Sequence, residues 1–222
     1  MSGNLIIRKT ADGSTTLLHE GLNETYHSVH GALTESLHVF IEKGARFAAE
    51  KFSGSTLEIL EIGFGTGLNA CLTRAFATAF PVAIRYCSIE KYPLPEEIWR
   101  ALEFPDIDPI KLSELHQAPW NVPVKFDSDF ELLKMEGDVT QQDFASRKFN
   151  VIYFDAFAPN KQPELWTPAI FSAMYEALKD EGLLVTYCAK GQFKRDLRSV
   201  GFIVESLPGP PGKREMVRAF RR

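Results

Sequence analysis

Hydrophobic and polar positions along this chain follow two alternating periods. Short β-branched runs, typical of buried strands, recur between longer stretches whose apolar residues repeat at helical spacing. The pattern predicts a hairpin around Asp12-Gly13 and a helix over residues 31–51. Further strands are predicted at 56–62, 82–89, 124–126, 130–135, 150–155, 183–187, 202–207 and 215–220, and further helices at 68–79, from Pro95, at 167–179 and at 190–200. Residues 104–123 are Pro-rich and are predicted to be irregular.

The alternation of strand and helix predicts an α/β fold with a mainly parallel sheet and helices on both faces. Residues 1–50 are predicted to form a hairpin and helix extension, and residues 51–222 the main domain. Ligands of such sheets bind at the carboxyl ends of the strands, near the topological switch point. Candidate functional residues are therefore expected directly after the strands.

Composition limits the class of protein. The 222 residues include 25 Lys and Arg against 29 Asp and Glu, a net charge of −4, and the 45% hydrophobic content excludes disorder as the main state. Cys71, Cys87 and Cys188 lie far apart, which excludes a disulfide framework and argues against a zinc site. No apolar run suits a signal peptide or a membrane span. We expect a cytoplasmic protein with no metal and no membrane partner.

The first strand of the main domain ends in a glycine-rich run that begins two residues after Glu61. Glycines let a tight turn approach a ligand, and the following helix offers free N–H groups. A dinucleotide fingerprint would need glycine at Leu68, whereas a carboxylate at Glu61 can accept from a ligand ammonium, so the run favours S-adenosylmethionine. A plain strand-to-helix connection is the alternative. The candidate cofactor-binding residues here are Glu61, Gly63, Phe64, Gly65, Gly67, Leu68 and Asn69.

Two further carboxylates follow predicted strands. Glu90 lies 29 residues after Glu61, and at a strand end it can accept both hydroxyls of a ribose. Asp138 follows Gly137 and can accept from an exocyclic amine such as that of adenine. Together with Lys91 they are candidate cofactor-binding residues. The alternatives are a solvated glutamate at a strand end and an aspartate in an ordinary turn.

Asp155 ends the most hydrophobic predicted strand. A buried strand has little use for a terminal carboxylate except at a site, where desolvation perturbs its pKa. Phe157, two residues later, can stack on a planar ring. The alternative is that Asp155 caps the next turn. We take Asp155 as the candidate catalytic residue.

Residues 154–167 read Phe-Asp-Ala-Phe-Ala-Pro-Asn-Lys-Gln-Pro-Glu-Leu-Trp-Thr and resemble the methyltransferase domain of the MnmC-type tRNA-modifying enzymes. Similar blocks cover most of the chain: Tyr26 to Gly44, Glu61 to Asn69, Glu90 to Pro93, Gly137-Asp138 and Lys213 to Met216. The resemblance implies a class I, Rossmann-like S-adenosylmethionine-dependent methyltransferase. Its implied reaction methylates the aminomethyl nitrogen of 5-aminomethyl-(2-thio)uridine at the tRNA wobble position, giving 5-methylaminomethyl-(2-thio)uridine. Position 156 is Ala where fused relatives tend to have Gly.

The resemblance also implies roles for the candidate residues. Asp155, from its place at the end of the most hydrophobic strand, is expected to orient the amine, is the candidate acceptor of its proton, and is also a candidate cofactor-binding residue. Glu61 would hold the methionine part of the cofactor, Glu90 the ribose and Asp138 the adenine, with Phe157 near the target base. Many relatives are fused to a flavin-dependent oxidase whose fingerprint is missing from these residues, so a separate enzyme is expected to supply the aminomethyl uridine. Two alternatives stay open: a methyltransferase of a small amine or hydroxyl, and a non-catalytic S-adenosylmethionine- or tRNA-binding subunit.

The mild net charge hides an asymmetry. Residues 190–222 carry nine basic and three acidic side chains, a net +6, so the other 189 residues carry −10. A basic face is the electrostatic footprint of phosphate contacts, and a solvated C-terminal face is the alternative. The candidate tRNA-binding residues, expected near the anticodon stem-loop, are Phe157, Lys190, Lys194, Arg195, Lys213 and Arg214. Charge reversal at Lys213 and Arg214 is expected to weaken tRNA binding without harming cofactor binding.

Overall fold

The computed structural model describes residues 4–144 and 148–222. The chain begins with a small antiparallel sheet of β1 (Leu5–Lys9), β2 (Thr15–His19) and β3 (Glu24–Thr25). The predicted hairpin is confirmed, and its register pairs Leu5 with His19. A continuous helical segment follows, made of α1 (Ala32–Ser36), a π-helical stretch (Leu37–Arg46) and α2 (Phe47–Lys51).

The main sheet has the strand order β10-β11-β9-β8-β4-β5-β7-β6. Its central strands are parallel, whereas β6, β10 and β11 pair antiparallel with their neighbours. Strand β4 lies between β5 and β8, so the topological switch point is at the carboxyl end of β4. The strands are β4 (Leu57–Ile62), β5 (Ile84–Glu90), β6 (Pro123–Asp127), β7 (Phe130–Glu136), β8 (Phe149–Phe154), β9 (Leu178–Thr186), β10 (Ile203–Pro208) and β11 (Glu215–Phe220).

Helices cover both faces of this sheet, as predicted. Alternate residues of β4 belong to different apolar clusters: Ile59 packs with the N-terminal helical segment and α3, and Leu60 packs with α6 and α7. The helices are α3 (Leu68–Ala79), α4 (Glu96–Trp99), α5 (Pro109–Gln117), α6 (Pro168–Ala177) and α7 (Gly191–Ser199). Leu17 and Phe40 share one cluster with the main sheet. The division at residue 50 stays a prediction.

The prediction of an irregular segment over 104–123 is wrong, because α5 occupies its centre. Asp108 caps this helix by accepting from the Ile110 N–H at 2.9 Å, and Pro109 stands at the first helical position, where proline is favoured. Leu112 and Leu115 are buried against the core. The high proline content conceals an ordinary helix start.

The predicted helix over 167–179 extends too far. Helix α6 ends at Ala177 and β9 begins at Leu178, so Glu181-Gly182 lies inside a strand. The Arg221 guanidinium donates to the carbonyls of residues 175 and 176 in the last turn of α6 and of residue 178 at the start of β9. These carbonyls are satisfied by a side chain 43 to 46 residues away, which local sequence does not reveal.

Among the described residues, no helix has the length and apolar character that a bilayer crossing needs. The same residues contain no group of three or more His, Cys, Asp or Glu side chains placed to hold a metal ion.

Candidate functional site

A cavity of about 530 Å³ opens at the carboxyl ends of the central strands. Its volume suits a small-molecule ligand or cofactor, and its position is the switch point at which such sheets bind ligands. It brings together most of the residues that the sequence singled out: Gly63, Phe64, Gly65, Leu68, Asn69, Glu90, Lys91, Asp138, Asp155, Phe157 and Lys213. The other candidates do not line it: Glu61, Gly67, Lys190, Lys194, Arg195 and Arg214.

The glycine run forms the tight turn that the sequence predicts. Gly63, Gly65 and Gly67 have φ angles of 95°, 48° and 73°, a region that side chains with a Cβ rarely adopt. A Cβ on Gly63 would lie 3.1 Å from the carbonyl oxygen of Asp155, and one on Gly67 would lie 3.0 Å from His116 Nε2. Both the backbone conformation and the close contacts therefore require glycine at these positions.

Two histidines, the buried His27 and the partly buried His116, lie against Thr66 in the glycine turn. His116 Nε2 lies 2.9 Å from the Thr66 carbonyl oxygen, and His27 Nε2 lies 3.3 Å from Thr66 Oγ1. Burial lowers the pKa of each histidine to about 4, so both are neutral at pH 7. The buried Lys134 donates to the His116 carbonyl at 2.7 Å. Sequence reasoning missed this support, because its members come from four distant segments.

Glu61 lies beneath the cavity, with only 1% of its surface exposed. Its Oε2 accepts from Ser88 Oγ at 2.7 Å, while Oε1 has no hydrogen-bond partner among the described residues. Burial, and to a smaller extent the nearby Asp155 carboxylate, raise the pKa of Glu61 to about 8. Asn69 Oδ1 and the Tyr86 hydroxyl are also buried without a partner. Unsatisfied buried polar atoms are costly, so several at one place indicate a site adapted to a polar ligand.

Glu90 is fixed at the end of β5 by two backbone donors. Its Oε2 accepts from the Gly65 N–H at 3.1 Å and its Oε1 from the Tyr92 N–H at 2.8 Å. Burial raises the pKa of this carboxyl. The carboxylate is therefore held beside the glycine turn at the wall of the cavity.

Asp138 has two local partners in addition to its place in the cavity wall. One oxygen caps the turn at residues 139–141 by accepting from the Thr140 N–H at 2.9 Å, and the other accepts from Lys91 Nζ at 2.7 Å. This bond to Lys91 holds the pKa of Asp138 below its usual value. Asp138 therefore caps a turn, as in the alternative interpretation from sequence, and it also lines the cavity.

Asp155 directly follows β8 and faces the glycine turn. Its Oδ2 accepts from Asn69 Nδ2 at 2.9 Å, and its N–H donates to the Ile62 carbonyl at 3.2 Å. Burial first, and then the Glu35 carboxylate, raise the pKa of Asp155 to about 7. A carboxyl group with this pKa exchanges protons near neutral pH, which an ordinary aspartate does not.

Phe157 is held by hydrogen bonds within its own loop. Its N–H donates to Gln162 Oε1 at 3.0 Å, and its carbonyl accepts from Trp166 Nε1 at 2.7 Å. Its ring meets the edge of Tyr26, with the centroids 4.9 Å apart. Tyr26 comes from the N-terminal extension and also contacts Gly65, so the extension closes one side of the cavity. Tyr26 was not among the predicted site residues.

The basic C-terminal segment is less uniform than its sequence indicates. Lys194 is paired with Glu215 at 3.0 Å, Lys190 donates to Asn160 at 3.2 Å, and Lys213 is paired with the buried Glu35. Arg195 donates to Gln192 at 2.7 Å and is exposed, as is Arg214. Lys213 faces the cavity, whereas the two arginines face solvent.

Comparisons with known proteins show which families this chain is similar to. A family model described as S-adenosyl-L-methionine-dependent methyltransferase matches residues 116–222. The crystal structure of MNMC2 from Aquifex aeolicus superposes with a TM-score of 0.83 at 28% identity, covering 98% of this chain and 70% of that one. Magnesium protoporphyrin IX methyltransferase from Synechocystis, solved with bound S-adenosylmethionine, shares the fold at 12% identity, with a TM-score of 0.51 over 82% of this chain and 78% of that one.

The fold is that of class I S-adenosylmethionine-dependent methyltransferases, as the sequence predicted. Within this class, the chain is similar to the MnmC-type proteins. It is 32% identical to the tRNA 5-methylaminomethyl-2-thiouridine biosynthesis bifunctional protein MnmC of Burkholderia thailandensis over 87% of this chain and 32% of that one. The chain thus spans about a third of the length of the curated relatives it matches.

Proposed function

We propose that this protein transfers a methyl group from S-adenosylmethionine to the aminomethyl nitrogen of 5-aminomethyl-(2-thio)uridine at the tRNA wobble position. The product is 5-methylaminomethyl-(2-thio)uridine. The observation that carries this proposal is the meeting of Asp155, Glu90 and the glycine turn in one cavity, in a chain similar to MnmC and MNMC2. A tRNA substrate also favours the cytoplasmic location expected from the sequence.

The charge of the cavity suits the proposed reactants. Six carboxylates line it: Glu24, Glu35, Glu90, Asp138, Asp155 and Glu164. Its two lining lysines, Lys91 and Lys213, are each paired with an acidic partner. An alkylammonium and a sulfonium are both cations, so a cavity of net negative charge favours their binding. A separate enzyme would then supply the aminomethyl group in a form that carries this positive charge.

The cavity residues also fit the parts of the cofactor. Glu90, held between two backbone donors, would accept from the ribose hydroxyls, and Asp138 would accept from the adenine amine. The glycine turn would lie against the methionine part. Glu61 would act from beneath the turn, because its free Oε1 is buried and outside the cavity wall. The orphaned oxygens of Glu61 and Asn69 are polar atoms that such a ligand, directly or through water, would satisfy.

When bound, S-adenosylmethionine supplies an electrophilic methyl carbon on its sulfonium. Transfer of this methyl to the amine nitrogen would leave the carbon–sulfur bonding pair on sulfur as a neutral thioether. The amine must lose a proton before attack, and Asp155, whose pKa is about 7, is placed to orient the amine and accept that proton. Phe157 and Tyr26 would pack near the uracil ring. Holding nitrogen and methyl in line supplies much of the rate.

The experiment is methyl transfer from labelled S-adenosylmethionine to tRNA that lacks the final methyl group, followed by digestion to nucleosides. The proposal expects label in 5-methylaminomethyl-(2-thio)uridine. Label only in added small amines or phenols would support the small-substrate alternative, and cofactor or tRNA binding without transfer would support the non-catalytic alternative. The matched control is Asn160→Ala, a polar change in the exposed part of the loop that carries Asp155, outside the cavity wall.

A further inference from the structure

A buried ion pair lies in the wall of the cavity and has no role in the reaction as proposed so far. Glu35, on α1, has a side chain that is 7% exposed. It accepts from the Ser28 N–H at 2.8 Å and from Lys213 Nζ. Lys213 stands just before β11 at the opposite end of the chain. The pair therefore joins the N-terminal extension to the turn between the last two strands.

Lys213 is coupled to the segment that carries Asp155. Its ammonium lies 3.9 Å from the centroid of the Tyr187 ring. The Tyr187 hydroxyl donates to the carbonyl of Ala156 at 2.8 Å, one residue after Asp155. Lys213, Tyr187, Glu35 and Asp155 all line the same cavity. The Lys213 ammonium, held over the Tyr187 ring, therefore helps to fix the backbone of the segment that carries Asp155.

The turn that carries Lys213 is docked on the extension by further contacts. Gly212 has a φ of 84° and packs directly on His30, where a Cβ would lie 2.2 Å from the imidazole. His38 Nε2 lies 2.9 Å from the Pro208 carbonyl oxygen. Lys213 is therefore held in place by its surroundings, in contrast to its exposed neighbour Arg214.

Charged and titratable groups face Asp155 from every side. Glu35 raises the pKa of Asp155 and Lys213 lowers it. Burial raises the pKa of Tyr187, of Glu61 and of Tyr86, and the Asp155 carboxylate adds a smaller contribution to each. Glu35 and Lys213 are the members of this group that form an ion pair with each other, so their charges oppose one another at Asp155.

We propose that Glu35 and Lys213 are positioning residues of the methyl-acceptor pocket, which hold the Asp155 segment and balance the charge that faces Asp155. Lys213 then acts inside the pocket and not on a tRNA phosphate, which departs from the role that the sequence indicated. The inference rests on the proposed function, because it assigns a role in the same pocket.

The test compares Glu35→Gln with Lys213→Met in single-turnover methyl transfer to tRNA as a function of pH. Loss of the Glu35 anion lowers the pKa of Asp155, so the acid limb of the rate moves to lower pH. Loss of the Lys213 cation moves that limb to higher pH. Each shift is expected to be about one pH unit, as for a close charge. Opposite shifts are a signature that general structural damage does not produce.

Arg214→Met is the matched control, since it removes an adjacent but exposed cation. It should leave the acid limb unchanged and weaken tRNA binding, whereas Lys213→Met should leave the tRNA dissociation constant within about twofold. Lys213→Arg and Glu35→Asp keep the charges and should restore the wild-type limb. If Lys213→Met instead weakens tRNA binding as Arg214→Met does and leaves the limb in place, the proposal is overturned.

A second readout separates this proposal from the proposed function. The Asp155 carboxyl carbon is titrated by NMR in the cofactor-free variants, with the signal assigned by Asp155→Asn. Absence of methyl transfer by the wild-type protein would refute the function alone, and the titration would still test the pair. Equal titration midpoints of Asp155 in wild type, Glu35→Gln and Lys213→Met would overturn the role proposed for the Glu35–Lys213 pair, even where methyl transfer is observed.

Discussion

Asn69 Nδ2 donates a hydrogen bond of 2.9 Å to Asp155 Oδ2. Asn69 lies in the first turn of α3, directly after the glycine run, and Asp155 follows β8. The bond therefore ties the two sides of the switch point together. It favours the charged form of Asp155, while burial in the cavity favours the neutral form. The position of this carboxylate and its protonation are thus set by the same surroundings.

Asp155→Asn should reduce methyl transfer by about 10²- to 10⁴-fold, the range for loss of a residue that handles a proton. The affinity for S-adenosylmethionine should change much less, because Glu90 and the glycine turn are untouched. Single-turnover rates and calorimetric titration of the cofactor measure the two effects. A wild-type rate in Asp155→Asn would remove this residue from the mechanism.

Glu61→Gln should stabilise the cofactor-free protein at alkaline pH. The pKa of Glu61 is about 8 in the folded protein and about 4.5 when unfolded, so the folded state binds more protons between these values. Stability therefore falls as the pH rises from about 5 to 8, by about 1.4 kcal/mol for each unit of pKa difference. The glutamine has no such dependence and keeps a partner for Ser88.

Thermal unfolding at pH 5.5 and pH 8.5 measures this difference. The Tm advantage of Glu61→Gln over wild type should be larger at pH 8.5. Glu58→Gln removes a carboxylate from the same strand that pairs with Arg85 at an exposed position, and it serves as the charge control. Equal Tm differences at the two pH values would mean that Glu61 does not carry the proton.

Gly67→Ala should destabilise the protein by about 1–3 kcal/mol, the usual cost of a left-handed backbone at a residue with a Cβ. Gly67 has a φ of 73°, and a new Cβ would press on His116 Nε2 and on the Phe64 ring. The turn must then shift, so cofactor affinity should fall as well. Gly54→Ala is the control, since it has a similar φ of 79° but open space around it. Denaturant unfolding measures the loss of stability, and cofactor titration measures the loss of affinity. Equal losses in Gly67→Ala and Gly54→Ala would mean that packing at Gly67 is unimportant.

Sequence patterning was sufficient for the α/β architecture and for bringing the glycine turn, Glu90, Asp138 and Asp155 to one cavity. The glycine run and Asp155 directly follow predicted strands, Glu90 and Asp138 lie at or just after the ends of two others, and the parallel strands bring these four ends to one edge. Helix α5 escaped prediction because its prolines resemble those of a loop, although Asp108-Pro109 is a regular helix start. Local sequence patterns therefore predict the site residues that lie at the ends of strands.

What the sequence did not reveal depends on contacts between distant segments. Tyr26 reaches Phe157 and Gly65 only because the N-terminal extension folds over the cavity. Lys213 belongs to a basic segment by composition, and only its pairing with Glu35 separates it from its neighbours. Glu61 has the expected spacing, yet its side chain points to Ser88 beneath the turn, because successive strand residues face opposite sides of the sheet.

Arg195→Glu and Arg214→Glu should weaken tRNA binding without changing cofactor affinity. Both arginines are exposed, and neither is tied to an acidic side chain in the way that Lys194 is tied to Glu215. A lost phosphate contact lowers the slope of log K against log salt by about 0.7 to 0.9 per charge, because fewer counterions are released. Binding measured across a salt series therefore tests contact, and not merely net charge.

Arg85→Glu provides the control for these two variants. Arg85 lies near the amino end of β5, at the edge of the sheet opposite the cavity, and its guanidinium is paired with Glu58. It changes the net charge by the same amount but places a third carboxylate between Glu58 and Glu131, so thermal unfolding must first show that the variant is folded. If Arg85→Glu weakens binding and lowers the salt slope as much as Arg214→Glu, the effect comes from overall charge. If the salt slope falls only in Arg195→Glu and Arg214→Glu, tRNA phosphates lie near α7 and near the turn between β10 and β11, which carry these two arginines.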